Sequence, residues 1–459
     1  MLDVDRLLLG AASVLTMVVA ILFVVKDLRQ RSVSGATVFL VVSVVFINLG
    51  MSIRWLAPGA DPVWSDRPVM VVTAGLAAVI LGSRLGPMMW PLRDHVGGPS
   101  AKQGTDQDEY NSLFVTSLVL VLVAGLYFAL LGSIPLVQGL KDLAGAGQIT
   151  SGLVSRYRNA RDTYAGGTGV YVPMQGLLEA VRYWGLPLVV IWAWQAIAAR
   201  RWRHAGFVLI GAALVLLVAT GQRWPLMYLF IAVFVVGVVI FRWRWGRLGR
   251  WALLAIAVGV VLSALLGRGA QGVDSVGKAF RFGVGQLSSR LFLEQTEVPF
   301  ASYAMSRADL LPGDQLTWVQ NLLAYLPGPG ASYTVTFSTI VTGQDLGFTA
   351  PPDFYTEAWI NGGWWLVIAL SFAWGLLIGR IRMLPAGSSA VSVGYRTVLV
   401  TILGFSAFAG VSQALSVFIV FVLAKAIFLT FRFLAPRASQ QTRSVPAMQG
   451  SPPLKVKRS

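Results

Sequence analysis

Apolar runs of membrane-crossing length follow one another along almost the whole chain, and this leaves few folds open. A helix needs about 20 mostly apolar residues to cross the hydrocarbon of a bilayer. Roughly eleven segments reach or approach that length. They lie near 7–25, 35–56, 68–90, 112–132, 171–198, 206–220, 225–241, 251–266, 359–379, 397–412 and 415–431. With 56% hydrophobic and 12% charged residues in a chain of 459, most of the length must be solvated by lipid. The expected fold is all-α, a single polytopic transmembrane helical bundle over residues 1–432. The first apolar run shows no small-residue cleavage site and more spans follow it, so it is expected to be a retained helix.

The charges give the bundle an orientation. Cytoplasmic loops are enriched in Lys and Arg. The segments "KDLRQR" (26–31), "ARRWRH" (199–204), "RWRWGRLGR" (242–250) and "RIRM" (380–383) are basic and separated by even numbers of spans. All four are therefore expected in the cytoplasm, with the N-terminus outside. The formal net charge of +17 resides in such clusters between apolar runs, the pattern of topology signals and not of a nucleic-acid surface. The polar segment 91–111 is a cytoplasmic linker on this count. The tail 433–459, rich in Pro, Ser and basic residues, is expected to be disordered near anionic lipid. Two large loops, 133–170 and 267–358, fall outside. No internal repeat is visible, so the inverted-repeat plan of many transporters finds no support.

Cysteine is absent, which excludes disulfides and thiolate chemistry. The two histidines, His95 and His204, both count as cytoplasmic. No set of clustered His and carboxylates stands on the outer side, so no metal and no cofactor is expected.

Arginine is disfavoured in short outward loops, yet this chain places Arg156, Arg158 and Arg161 in the first outer loop. Arg223 lies in the turn "GQRWP", and Arg268, Arg281, Arg290 and Arg307 in the second loop. Guanidinium groups near the outer leaflet suit an anionic ligand such as a lipid diphosphate, because the planar fork takes phosphate oxygens bidentately. The alternative is that they anchor the interface or pair with acids. Arg223, between two apolar spans, must either snorkel or point into a polar cavity. Residues 281–307 have helical spacing, with Arg290, Glu294 and Glu297 on one face, as in an amphipathic helix on the outer surface or an ordinary ion pair.

The stretch "TAPPDFYTEAWINGGWW" (349–365) precedes an apolar run. Its prolines suit a first helical turn that Thr349 can cap. A helix there carries Asp353, Glu357 and Asn361 at four-residue steps, hence on one face. Gly362 and Gly363 would let backbone approach closely, and Trp359, Trp364 and Trp365 would sit in the interfacial aromatic belt. A partly desolvated carboxylate can act as a general base and a nearby amide can bind a hydroxyl. Acids at a helix N-terminus are also favoured by the dipole alone, which accounts for Asp353 better than for Glu357 and Asn361.

The run 323–380, from "LAYLPGPG" to "GLLIGR", resembles the C-terminal hallmark of Wzy-type polymerases of oligosaccharide repeat units. The shared pattern is a proline-ended segment, a spacer, then an acid, an Asn and glycines opening a membrane helix, here Glu357, Asn361, Gly362 and Gly363. "GQRWPLMYLF" (221–230) resembles the Arg-bearing turn of that family. Arg156 with Gly167, and Arg158 with Gly169, match the family's Arg, ten residues, Gly spacing.

The resemblance implies a glycosyltransferase of the bacterial cytoplasmic membrane, acting on its outer face. It would join undecaprenyl-diphosphate-linked repeat units, with a flippase and a chain-length regulator as partner proteins. In that reading Arg223 and Arg290 hold the diphosphate, and Glu357 with Asn361 activates the acceptor hydroxyl. Arg156, Arg158, Arg161, Arg268 and Arg281, with Asp353 and Tyr355, bind substrate. Three readings compete with it. An O-antigen ligase would typically need an outward histidine. A lipid-linked glycan transporter would use membrane ionisable groups such as Glu179, Arg182 and Lys425, with the polar Asn48 and Gln413. The third is a non-catalytic scaffold.

Overall fold

The computed structural model describes residues 4–56, 62–89, 106–130, 181–219, 224–266, 276–289 and 352–434. These residues form helices α1 (Val4–Gln30), α2 (Gly35–Val42), α3 (Leu49–Trp55), α4 (Pro62–Met89), α5 (Asp106–Leu130) and α6 (Leu186–Ala198). They continue with α7 (Arg203–Val218), α8 (Trp224–Val239), α9 (Trp245–Leu266), α10 (Val276–Ser289), α11 (Phe354–Arg380) and α12 (Ala390–Leu434). Two π-helical turns, Ser43–Asn48 and Val181–Gly185, join α2 to α3 and lead into α6. No strand occurs among the described residues; one isolated bridge pairs Ser34 with Arg382.

Six helices are long and apolar enough to cross a membrane: Val4–Gln30, Gly35–Trp55, Asp66–Met89, Glu109–Ala129, Phe354–Arg380 and Ala390–Val411. Three shorter apolar helices accompany them, Leu186–Ala198, Arg203–Val218 and Pro225–Val239. The six differ in what surrounds them. Only 11% of the apolar window in Val4–Gln30 is buried, against 72% in Ala390–Val411. Leu8, Leu15 and Leu22, two turns apart on α1, are all exposed. That helix presents an apolar face outward while α12 runs through the core, where Tyr228, Phe46 and Phe408 pack around Phe405.

The four basic clusters meet at one end of the bundle. Gly35 N–H donates to Ile381 and Met383 N–H to Val33, tying the turn after α1 to the turn after α11. Val391 N–H at the start of α12 donates to Glu109 on the first turns of α5. Beside it Trp202, in the α6–α7 turn, packs edge-on against Tyr110 and Phe114. Trp243, in the α8–α9 turn, lies against Trp194 on the last turns of α6. At the opposite end Arg6 on α1 bridges to Asp66 on α4 at 3.0 Å, and Trp55 Nε1 donates to the same carboxylate.

Three helices stop at this basic end with an arginine in the left-handed region: Arg31 (φ 54), Arg200 (φ 58) and Arg242 (φ 48). After α1, Arg31 N–H donates to Leu28 and Ser32 N–H to Asp27; after α6, Arg200 donates to Ile197 and Arg201 to Ala196. Both are Schellman closures with Arg at the position that usually takes glycine. The third is wider, with Trp243 N–H reaching Gly237. A left-handed L-residue costs about 1–2 kcal/mol.

The closest helix pair is α4 with α11. Gly82 faces the Phe372 carbonyl, Gly86 the Leu376 carbonyl, Gly375 the Val79 carbonyl and Gly379 the Ser83 carbonyl. Numbers rise together, so the two run parallel with their backbones touching. Small residues at four-residue spacing allow this approach, which dispersion rewards where lipid offers no hydrophobic drive. Gly375→Leu is expected to force the helices apart at a cost of roughly 3 kcal/mol, read as loss of monodisperse protein after detergent extraction.

The helix over 354–380 is not a straight span. Phe354 and Trp374 have ring centroids 5.9 Å apart, whereas twenty residues of straight helix cover about 30 Å. Tyr355 likewise lies against Gly75 beside Ser371. The chain folds back at Gly362 (φ −172, ψ 20) and Gly363 (φ 60, ψ −152), the latter a conformation open essentially to glycine alone. The length of α11 therefore sums a short arm, 354–361, and a return arm, 364–380. The glycines expected to admit a neighbouring backbone instead turn the chain.

The first arm also starts later than the sequence suggests. Its cap is Asp353 and not Thr349, and Pro352 precedes the helix. The two last segments, expected as 397–412 and 415–431, are two helices within α12 that part at Gly410 (φ 77, ψ 173), a few residues before the expected boundary. Of the outer amphipathic helix expected over 281–307, α10 (Val276–Ser289) covers 281–289 and begins five residues earlier, with Lys278, Phe280 and Arg281 exposed and Leu287 against Gly259. Loop 133–170, residues 267–275 and 290–351, and the tail from 435 lie outside the described residues.

Candidate functional site

Four irregularities in otherwise regular helices come together: the Asp353 N-terminus, the fold-back at Gly362 and Gly363, the break at Gly410 and the π-helical turn Ser43–Asn48. Each frees backbone groups or re-aims side chains, and in a bundle such interruptions survive only where neighbours satisfy them.

Asp353 is 3% exposed. Its Oδ1 accepts from the Tyr355 and Thr356 amides at 2.9 and 3.0 Å, and its Oδ2 from the Thr356 hydroxyl at 2.6 Å. Both oxygens are thus committed to starting the short arm. Tyr355 is fully buried and its ring meets Phe39 edge-on. Ser43 Oγ donates to Asn48 Oδ1 at 3.0 Å, so its one proton is spent and the Tyr355 hydroxyl donates to Ser43 at 2.8 Å. The π-helical turn therefore anchors the arm. Tyr355→Phe is expected to lower thermal stability in detergent by about 1 kcal/mol, the worth of one buried hydrogen bond.

Glu357, one turn further, is 0% exposed. Its Oε2 accepts from the Val411 amide at 2.5 Å. That amide is available because Gly410 interrupts the helix, leaving Val411 at the N-terminus of the following segment, where peptide dipoles favour an anion. Gly410 is the only fit. A Cβ there would land on the Glu357 carboxylate and 3.3 Å from the Pro352 carbonyl. Asn361, half-buried at the end of the arm, donates from Nδ2 to the Glu357 carbonyl at 2.6 Å. The expected face shared by Asp353, Glu357 and Asn361 is present, but it turns into the bundle. Of the tryptophans expected at the interface, Trp365 is 84% exposed while Trp359 and Trp364 pack edge-on together.

The return arm is tied to the same break. Trp374 Nε1 donates to Ser406 Oγ at 2.9 Å, one turn before Gly410. Arg281 is exposed on α10. Arg223, Arg290, Arg156, Arg158, Arg161, Arg268 and Arg307 lie outside the described residues. Arg182 is fully buried in the second π-helical turn, 5.5 Å from the Tyr127 ring. His204 is exposed on the first turn of α7 at the basic end, and Lys425 is exposed on α12.

The arrangement holds a buried carboxylate between the short arm and the break at Gly410. Ser43, Gly410 and Val411 escaped the sequence reading, and Asn48 entered it only as a polar residue of the transporter alternative. Ser43 and Asn48 are the polar residues of the run "SVVFIN", a faint signal; nothing in "FAGVSQ" marks Gly410 off from the chain's many glycines. No group of three or more metal-ligating side chains occurs among the described residues. In comparisons with protein-family models, with curated proteins and with solved structures, none matches this chain.

Proposed function

We propose that this protein is a membrane glycosyltransferase that polymerises undecaprenyl-diphosphate-linked oligosaccharide repeat units at the outer face of a bacterial cytoplasmic membrane. The observation that carries the reading is Glu357, a fully buried carboxylate held where two broken helices meet. Ionisable groups inside a membrane bundle are costly and are kept for function. The resemblance of 323–380 supplies the reaction. In this reading the chain has eleven spans, its basic turns face the cytoplasm and its two large loops face outward.

The acceptor hydroxyl oxygen of one unit attacks the anomeric carbon of the growing glycan. The bond from that carbon to the diphosphate breaks, and undecaprenyl diphosphate leaves with the electron pair. The hydroxyl proton passes to Glu357. Asn361 binds the acceptor, and Arg223 and Arg290 stabilise the departing charge, as fixed donors aimed at developing charge do. Arg156, Arg158, Arg161, Arg268 and Arg281 guide the lipid-linked substrate. Asp353 and Tyr355 act by holding the arm. Substrate entry requires the short arm to swing on Gly362 and Gly363, a lid motion of an ordinary kind.

The test is to incubate purified protein in lipid with an undecaprenyl-diphosphate-linked oligosaccharide and to follow products by mass spectrometry. A ladder rising by whole repeat units supports the proposal. Unchanged substrate with correctly folded protein rules it out.

A second reading, a transporter of lipid-linked glycans, is favoured by the two interrupted helices. Discontinuous membrane helices with a charge at the break are the usual construction of transporter sites. Movement of the lipid-linked unit across a vesicle membrane without chain extension would select it.

A further inference from the structure

We infer that Arg31, Arg200 and Arg242 form a docking surface for the phosphate headgroups of anionic phospholipids at the basic end of the bundle. They are the non-glycine residues at positive φ among those described. The chain has 48 glycines and places Gly363, Gly387 and Gly410 at positive φ elsewhere, so glycine was open to these three positions and arginine stands there against its backbone preference. Backbone strain of this kind points to a use for the side chain.

Helix polarity alone is a poor account. A cation is welcome near a helix C-terminus, but α1 already carries Arg29 in its last helical turn, at an ordinary φ. A residue just past the last turn of a membrane helix starts at the boundary between hydrocarbon and headgroups. All three arginines are exposed. Among the described residues their guanidinium groups have no ion-pair or hydrogen-bond partner. Trp243 follows Arg242 directly, and Trp202 follows Arg200 by two residues. Both rings are half-buried against neighbouring helices, which is where interfacial tryptophans settle. The three turns share one end of the bundle, so one leaflet can occupy all of them. The planar guanidinium matches a phosphate bidentately, and juxtamembrane cations draw anionic lipid.

The experiment measures thermal unfolding of the full chain in nanodiscs of phosphatidylcholine, with and without phosphatidylglycerol. The wild-type protein is expected to gain Tm when phosphatidylglycerol is added. The triple variant Arg31→Gly, Arg200→Gly, Arg242→Gly should fold, since glycine suits each backbone. It should match or exceed the wild-type Tm in phosphatidylcholine and lose more than about half of the phosphatidylglycerol gain. A control variant, Arg29→Gln, Arg203→Gln, Arg244→Gln, removes equal charge from the same end at ordinary φ and should retain most of the gain. An undiminished gain in the glycine variant, no gain in the wild type, or equal losses in both variants would each overturn the inference.

Discussion

Gly410→Ala is expected to be strongly destabilising. At φ 77 and ψ 173 an alanine is strained by about 1–3 kcal/mol. Its Cβ would also fall on the Glu357 carboxylate. To relieve that overlap, Glu357 must leave the Val411 amide, forfeiting a hydrogen bond to a charged group worth about 1.5–3 kcal/mol. The sum is a loss of roughly 2.5–6 kcal/mol, enough to unfold many proteins. Thermal stability in detergent, read by size-exclusion of heated samples, checks it. The double variant Gly410→Ala, Glu357→Ala should recover part of the loss, because the second change removes the obstructing carboxylate; such neighbours are non-additive. Gly211→Ala provides the contrast. Gly211 lies inside α7 with nothing within 4 Å of a Cβ, so alanine there should be neutral or stabilising by up to about 1 kcal/mol. Equal damage at both positions would contradict the packing described at Gly410.

Glu357→Gln separates chemistry from architecture at the candidate site. Glutamine has nearly the same shape, and its carbonyl oxygen can still accept from Val411. What disappears is the negative charge and the capacity to take a proton. If Glu357 is the general base, chain extension falls by about 10²–10⁴-fold, while stability falls by no more than the difference between a charged and a neutral hydrogen bond, about 1–2 kcal/mol. If Glu357 only fastens the short arm to the break at Gly410, Glu357→Gln keeps most activity and Glu357→Ala loses folded protein. Full activity in Glu357→Gln would remove the base from the proposed mechanism and leave the carboxylate a structural part.

The contrast between the two predictions shows which features can be read along the chain. The apolar runs are legible because crossing a membrane requires a local property, hydropathy over about 20 consecutive residues. Val4–Gln30 and Glu109–Ala129 lie where those runs place them. The gathering of the basic turns at one end follows from the same count, since each crossing reverses the side. The shared face of Asp353, Glu357 and Asn361 is legible too, because i and i+4 superpose on any helix. Which way that face points is not. It depends on Gly362 and Gly363 turning the chain, and "NGG" reads equally well as a close-packing patch.

The site's remaining members lie far apart in sequence. Ser43 meets Tyr355 across 312 residues and Glu357 meets Val411 across 54. No periodicity links such positions. Helical character, the apolar crossings and the common end of the basic loops thus belong to the chain's own hydropathy and charge, which are read over contiguous stretches of sequence. The fold-back of 354–380, the break at Gly410 and the burial of Glu357 between them were decided by packing. A left-handed glycine or a re-entrant arm is stable only when neighbouring helices satisfy the backbone groups it frees.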